Sequence, residues 1–303
     1  MLSYQSCRLC PRQCGVDRTA GQTGFCRMPG QIHAARAMAH FWEEPVISGD
    51  MGSGAVFFSG CTLRCCFCQN SEISQGGPAG PKGKPLTPDS LRTIFRKLIE
   101  EEEVHNLNLV TATHFLPDLL EALQPKPPVP VVWNTGGYER VESLRALEGL
   151  VDVYLPDLKY GDSSLAARYS GAPDYVQTAK AAILEMYRQT GPVQIDENGL
   201  MTRGVLIRHL ILPGAAENSM EVLDWIADTF REGDVWVSLM AQYTPMGRAA
   251  GMPPLNRPIT REEYETVTGW LHCRGLRHGF LQDFSSASRE YTPDFNFQGL
   301  GDI

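Results

Sequence analysis

Four cysteines fall within eight positions of one stretch, FSGCTLRCCFCQN (58–70). Cys61, Cys65 and Cys68 stand at C-x3-C-x2-C, which puts three thiolates on one tight loop. On a four-iron cluster that set leaves one iron without a protein ligand, open to a substrate or cofactor. The competing reading is a structural zinc site, which takes four ligands; Cys66 could supply the fourth, but adjacent cysteines rarely both reach one tetrahedral ion. Cys66 is therefore expected to point away from its neighbours. A second group, Cys7, Cys10, Cys14 and Cys26, is spaced C-x2-C-x3-C-x11-C with Pro11, Gly15, Gly21 and Gly24 among the ligands. Four sulfurs without histidine suit a zinc or single-iron site, or a second iron–sulfur cluster. Ligand count and the turn-rich setting favour a structural metal. Cys273 stands alone in an otherwise apolar helical pattern and reads as a core residue.

A cysteine loop does chemistry only where a scaffold presents it. Apolar, β-rich runs recur at GAVFFSG (54–60), NLNLVTAT (106–113), VPVVWNTGG (129–137), VDVYLPDLK (151–159), VLIRHLILPG (205–214) and VWVSLMAQY (235–243). Their apolar positions are mostly consecutive, as in parallel strands covered on both faces. Helical patterns lie between them. In TPDSLRTIFRKLIEEEE, Leu91, Ile94, Phe95 and Leu98 keep helical spacing behind a Thr87 or Asp89 cap. RVESLRALEG, PDYVQTAKAAILEMYRQTG, NSMEVLDWIADTFREG and TREEYETVTGWLHC repeat the pattern. The fold class is α/β: a partial (β/α)6 TIM-like barrel with a small N-terminal four-cysteine metal-binding segment. GFLQDF is a candidate short seventh strand, and QIDENGLMTRG (194–204) a hairpin before the fifth. The boundaries read 1–50 for the cysteine segment, 51–285 for the barrel and 286–303 for a C-terminal tail. The loops 76–85 and 125–130 read as plain connections.

Barrels of this kind carry their functional groups at the C-terminal ends of the strands. Polar residues collect there: SGC, TATHF, NTGGY, PDLKY, LPG and AQY. The cysteine loop closes the first of these strands, which favours an open-iron cluster over a zinc knuckle. Composition narrows the partners. A formal charge of -8 argues against nucleic acid or an anionic membrane surface. The first residues lack a basic region followed by an apolar one, and no run is long enough to span a bilayer. A cytoplasmic chain with reduced thiols is expected.

CTLRCCFC, with Phe67 before the last cysteine, resembles the radical SAM signature. The β/α pattern over about 50–285 is similar to that superfamily's partial barrel. FFSGCTLRCCFCQN, NLVTATHF, NTGGYE, VDVYLPDLKY, RHLILPG and MAQY together resemble the pyruvate formate-lyase activating enzyme-like proteins, as do CRLCPRQCGVDR and GFC near the start.

The resemblance implies an enzyme. S-adenosylmethionine (SAM) would chelate the open iron of a 4Fe-4S cluster held by Cys61, Cys65 and Cys68. Its reductive cleavage would give a 5'-deoxyadenosyl radical that abstracts hydrogen, from a backbone glycine of a partner protein or from a smaller substrate. Reduced flavodoxin or ferredoxin would supply the electron. Phe67 would pack near the adenine. Asp157 and Lys159, two apart and therefore on one side of their strand, would face SAM and the path to substrate. Arg208 matches an arginine that holds the SAM carboxylate, a role suited to a guanidinium's paired hydrogen bonds. Their bland readings are an ion pair on a solvated edge and a structural salt bridge. The sequence departs from the pattern after the second strand, where Thr111, Ala112, Thr113 and His114 replace a Gly-Gly-Glu-like element that receives the SAM amino group. Thr113 is the candidate acceptor and Asn134 a candidate ribose contact. His114, Gly136, Gly137, Gln242 and Tyr243 are further candidates at the strand ends. A non-catalytic iron–sulfur carrier or a zinc-stabilised scaffold is the alternative; it would have no use for a mouth lined by Asp157, Lys159 and Arg208.

Overall fold

The structure, a computed structural model, describes residues 2–76, 80, 82–286 and 293–301; parts of the 76–85 loop and of the 286–303 tail lie outside the described residues. The chain joins the sheet earlier than its apolar pattern announces. Strand β1 (Ile32–His40) runs antiparallel to β2 (Ser53–Phe58), and β3 (Lys84–Leu86) adds antiparallel to β1 at Ile32–Ala34. Residues 32–40 thus belong to the main sheet, although the sequence reading assigned them to the cysteine segment. Beyond β2 the strands are parallel: β4 (Leu107–Val110), β5 (Val131–Thr135), β6 (Val153–Pro156), β8 (Met201–Leu210), β9 (Trp236–Met240) and β10 (Gly279–Leu281). Strand β7 (Gln194–Ile195) forms the expected hairpin with β8. Every residue of β2, β4, β5 and β6 is buried, which is why their runs are continuously apolar. The sheet path runs open from β10 to β3.

Helices cover the outer face. In α3 (Pro88–Glu100), Thr87 caps the N-terminus by accepting from the Ser90 N–H at 3.1 Å, and Leu91, Ile94, Phe95 and Leu98 are buried. In α9 (Arg261–Cys273), Thr260 and Glu263 form a capping box. Val267, Thr268 and Leu271 of α9 are buried, but Cys273 is exposed. The core assignment is corrected: nine residues after Tyr264 puts Cys273 about 180° round the helix from the buried stripe. Among the described residues no helix is long and apolar enough to cross a membrane.

The segment between β1 and β2 plugs the barrel floor. Helix α1 (Pro45–Ser48) packs Val46 and Ile47 against Val132, Val153, Leu155, Met201 and Leu206. By two-residue alternation, Val132, Leu155 and Leu206 share an inward face with Asn134, Asp157 and Arg208. The plug is tied down by Asn106, which donates to the Ile47 carbonyl at 2.7 Å and accepts from Ser53 at 2.6 Å.

Beside the strand ends lies Glu139, whose carboxylate accepts from the Thr113 and Thr135 hydroxyls. The Trp133 indole N–H faces it without closing a bond of standard geometry. Burial pushes the Glu139 carboxyl up to about 7, outweighing these donors. Between 4.5 and about 7 the folded chain keeps a proton that the unfolded chain releases. Stability therefore falls as pH rises through that window and levels off above it. Glu139→Gln should remove the dependence: variant stability minus wild-type stability is expected to rise by about 3 kcal/mol across the window. The Tm difference, followed from acid to mildly alkaline pH, measures it; a constant difference would contradict the assignment.

Candidate active site

The loop after β2 is fastened at successive positions. Backbone N–H groups of Gly60, Arg64 and Cys66 donate to the carbonyls of Ile73, Ser170 and Tyr169 at 2.8, 3.1 and 2.8 Å. Gly60 has φ +82°, and the Cys26 carbonyl oxygen lies 2.8 Å from where a Cβ would be, so only glycine fits. Held this way, Cys61, Cys65 and Cys68 line a single cavity of about 240 Å³. Cys66 is buried and lies off that lining; its carbonyl accepts from the Ala249 N–H.

Each of the three lining sulfurs meets a hydrogen-bonding group. The Leu63 N–H lies 3.4 Å from Cys61 Sγ, the Ser170 hydroxyl 3.0 Å from Cys65 Sγ and the Ser74 hydroxyl 3.3 Å from Cys68 Sγ. Burial pushes the Cys68 thiol up to about 11 and raises that of Cys61 as well. Such thiols give up their protons when a cation arrives to take their place. Three sulfurs on one wall, with a donor apiece to carry thiolate charge, fit an iron–sulfur cluster with one open corner. Among the described residues no three His, Cys, Asp or Glu side chains gather as around a single metal ion.

Opposite the cysteines, four charges interlock. Lys159 Nζ donates to Asp157 Oδ2. Arg208 donates through Nε to Asp157 Oδ1 (2.9 Å), through Nη1 to Glu43 Oε2 (3.0 Å) and through Nη2 to Asn134 Oδ1 (2.7 Å). Asn134 Nδ2 returns a bond to Glu43 Oε1 at 2.9 Å. Glu43 rises from the floor plug and was missed in the sequence, where nothing in WEEP marks it as part of a site. Burial alone would raise Asp157, but Arg208 and Lys159 hold its carboxyl below the usual range. Burial likewise works against the Lys159 charge, which Asp157 and Cys65 more than restore. The guanidinium spends three of its five N–H groups here and keeps two.

The knot below this set is neutral. The Tyr175 hydroxyl lies 2.7 Å from the Asp157 carbonyl and 2.9 Å from that of Gly136, and accepts from the Lys159 N–H at 3.0 Å. His209 joins the Leu158 carbonyl (2.6 Å) to the Ser219 hydroxyl (2.8 Å), and burial lowers its pKa to about 4, so the ring is neutral. Gly137 (φ +78°) abuts the Asp157 carbonyl where no Cβ fits, while Gly136 lines the cavity between Leu63 and Lys159.

Phe67, Asn134, Asp157, Lys159, Arg208 and Gln242 all line the cavity. Phe67 meets Tyr243 edge-on at 6.1 Å, and the Tyr243 hydroxyl is spent on the Leu255 carbonyl at 2.6 Å, away from the mouth. Thr113 is not among the lining residues; it is buried and its hydroxyl serves Glu139. Thr111 takes the cavity position instead, with φ +61°, a left-handed conformation costly for a β-branched residue. His114 is also buried away from the cavity; Nε2 donates to the Ser59 carbonyl at 2.6 Å and burial lowers its pKa to about 3, which leaves it structural.

The N-terminal cysteines are neighbours. Cys26, Cys14 and Cys7 lie close enough to Cys10 to add to the effect of burial, which pushes its thiol up to about 12. The Phe25 N–H lies 3.3 Å from Cys14 Sγ, and Arg18 Nη1 lies 3.7 Å from Cys7 Sγ. The expected closed single-ion geometry is not formed among them. Burial raises the Cys10 and Cys26 thiols, which give up their protons only to a cation, so single-ion spacing is not imposed on those side chains without one.

Residues 55–226 match the Radical SAM superfamily model. An uncharacterized protein of Methanocaldococcus jannaschii is 30% identical over 269 residues, covering 86% of this chain and 73% of that protein. Among solved structures, Streptococcus suis SuiB bound to precursor peptide SuiA is 14% identical with a TM-score of 0.45, over 74% of this chain and 47% of that one. Native anSMEcpe with bound AdoMet is 11% identical with a TM-score of 0.47, over 73% and 61%. The chain thus spans about half the length of the SuiB structure and 61% of anSMEcpe. With three thiols lining one cavity after the first parallel strand and the superfamily model matched from β2 through β8, over more than half of the chain, the chain belongs to the radical SAM superfamily.

Proposed function

We propose that this protein is a SAM-cleaving radical enzyme that abstracts hydrogen from its substrate, in the manner of the glycyl radical enzyme activases, with a protein glycine as the hydrogen donor. The observation that carries the reading is the single cavity shared by Cys61, Cys65 and Cys68 and by the Glu43, Asp157, Lys159 and Arg208 set. A bound 4Fe-4S cluster and SAM would supply one-electron cleavage of a sulfonium C–S bond, releasing methionine and a 5'-deoxyadenosyl radical that takes a hydrogen atom. Reduced flavodoxin or ferredoxin is the electron donor in this reading. The chain's own part is positioning. Lys159 and the two remaining Arg208 N–H groups offer cationic donors to the SAM carboxylate. Asp157 and Glu43 keep those cations in place and leave the wall near neutral, which suits a zwitterionic amino-acid end. Phe67 gives the adenine an apolar face.

Anaerobic protein reconstituted with iron and sulfide, then given SAM and dithionite, should form 5'-deoxyadenosine, and Cys65→Ala should abolish it. A loaded wild-type cluster that neither binds SAM nor forms product would leave a non-catalytic carrier. Arg208→Lys keeps the charge but loses the fork. SAM affinity is expected to fall by roughly tenfold, at unchanged iron content, in equilibrium dialysis; unchanged affinity would make Arg208 a structural ion pair.

The N-terminal quartet enters the same proposal as a second metal centre, zinc, iron or a cluster. Its support is the mutual proximity of the four thiols and the Arg18 cation beside Cys7. Elemental analysis of wild type against a Cys14→Ser/Cys26→Ser double variant tests it. Loss of zinc, or of iron beyond the share held by Cys61, Cys65 and Cys68, is expected; identical metal content would refute it.

A further inference from the structure

One of the three sulfurs that line the cavity is served differently from the other two. The Leu63 N–H stands 3.4 Å from Cys61 Sγ, and the half-buried Ser74 hydroxyl 3.3 Å from Cys68 Sγ. Cys65 Sγ takes the shortest of the three bonds, 3.0 Å from the Ser170 hydroxyl, and Ser170 is fully buried. The end of a helix delivers that donor. Helix α6 (Ser163–Ser170) stops at Gly171, whose left-handed conformation (φ +63°) turns its own N–H and that of Ala172 back onto the Ala167 and Ala166 carbonyls. The last carbonyls of a helix have no partner within it. Here the cysteine loop and the N-terminal segment take them. Cys66 N–H donates to the Tyr169 carbonyl at 2.8 Å, Arg64 N–H to that of Ser170 at 3.1 Å, and Arg12 Nη1 to that of Gly171 at 2.7 Å. The helix end is thus fastened to the loop on either side of Cys65, which sets its last hydroxyl on that sulfur.

Behind Ser170 stands a second hydroxyl. Tyr160 Oη lies 2.7 Å from Ser170 Oγ, and Tyr160 is itself fully buried, its ring edge-on to Tyr175 at 5.3 Å. Counting protons orders the pair. A metal-bound Cys65 sulfur carries no proton and can only accept, so the single Ser170 O–H points to it and the Ser170 oxygen accepts from Tyr160. Burial raises the Tyr160 phenol, which keeps that proton in place.

We propose that Tyr160 and Ser170 form a directed relay, Tyr160 O–H to Ser170 Oγ and Ser170 O–H to Cys65 Sγ, that sets the reduction potential of the cluster on Cys61, Cys65 and Cys68. The inference rests on the proposed function, since it concerns the cluster that reading puts on the three cysteines. Reduction adds one electron, drawn from the flavodoxin or ferredoxin donor, and with it negative charge on the ligating sulfurs. A hydrogen-bond donor at such a sulfur stabilises the reduced form more than the oxidised one and so raises the potential. Two buried hydroxyls in series polarise one another, which strengthens the bond that reaches the sulfur. Ser170 touches the ligand, whereas Tyr160 acts through Ser170 and is a positioning residue.

The test is a redox titration of anaerobically reconstituted protein without SAM, followed by the electron paramagnetic resonance signal of the reduced cluster. Ser170→Ala should lower the reduced-to-oxidised ratio at a fixed potential roughly tenfold, a midpoint shift of about 59 mV for one electron, at unchanged iron content. Tyr160→Phe keeps the ring and loses only the hydroxyl; its midpoint should move in the same direction by less. The double variant should move no further than Ser170→Ala alone, because Tyr160 reaches the sulfur through Ser170, whereas two independent packing defects would add. If Ser170→Ala fails to hold iron, Tyr160→Phe decides alone. A wild-type midpoint in either iron-loaded variant, or additive shifts in the double, would overturn the relay. A wild type that assembles no cluster sinks the radical reading and the relay with it; a wild type that cleaves SAM while the variants keep its midpoint sinks the relay only.

Discussion

Two carboxylates and two cations are withdrawn from water at the mouth of this barrel, and each must meet its opposite there. Leaving one partner of a buried pair alone costs about 3–5 kcal/mol. Arg208 carries most of that requirement: Asp157 answers Nε, and Lys159 shares Asp157, so a further acid must face Nη1. Glu43 does so from below. For Glu43 to stand there, the chain must pass under the barrel before its first parallel strand. Strand β1 delivers it, running down antiparallel to β2, and α1 then seals the floor with Val46 and Ile47. An electrostatic need at the mouth and an apolar need at the floor are thus met by one short segment.

The neutral knot has a complementary task. A charged pair is only as well placed as the backbone that carries it. Tyr175 holds the turn after β5 to the turn after β6, and His209 holds β8 to the Leu158 carbonyl. Because burial keeps His209 neutral, these fastenings do not change with protonation near neutral pH. The side chains that meet SAM in the proposed reaction therefore rest on groups that carry no charge of their own.

The parallel half of the fold was legible because its inner strands β2, β4, β5 and β6 are covered on both faces, and burial on both faces writes an unbroken apolar run. Strands β1 and β3 were not, since Ile32–His40 mixes small, basic and apolar residues whose logic is antiparallel addition to an edge. The three cysteines that line the cavity were legible from their spacing and their place after a strand. Asp157, Lys159 and Arg208 were singled out through the resemblance, but their mutual pairing was not, since spacing says nothing about which side chains cross the barrel. Thr113 was misjudged for a local reason: left-handed Thr111 turns the chain so that residue 111, not 113, reaches the cavity. Glu43 left no signal, because two adjacent acids before a proline look the same on a solvated turn as in a plugged floor.

The two cysteine groups, far apart in sequence, share a boundary. The Cys26 carbonyl lies against Gly60, the residue before Cys61. Arg12 crosses to donate to the Thr62 carbonyl at 2.9 Å, and Arg64 crosses back to the Phe25 carbonyl at 2.6 Å. Both guanidiniums stack on the Phe25 ring, 3.8 and 4.7 Å from its centroid. Arg18, buried and bonded to three carbonyls, stands beside Cys7 and reaches the His114 carbonyl near the second strand's end. In the proposed reading, metal bound on both sides of this boundary would place thiolate charge on each side of it. Three arginines already fixed there would offset that charge without moving, so the boundary itself would help Cys10, Cys26, Cys61 and Cys68, whose thiols burial raises, to ionise.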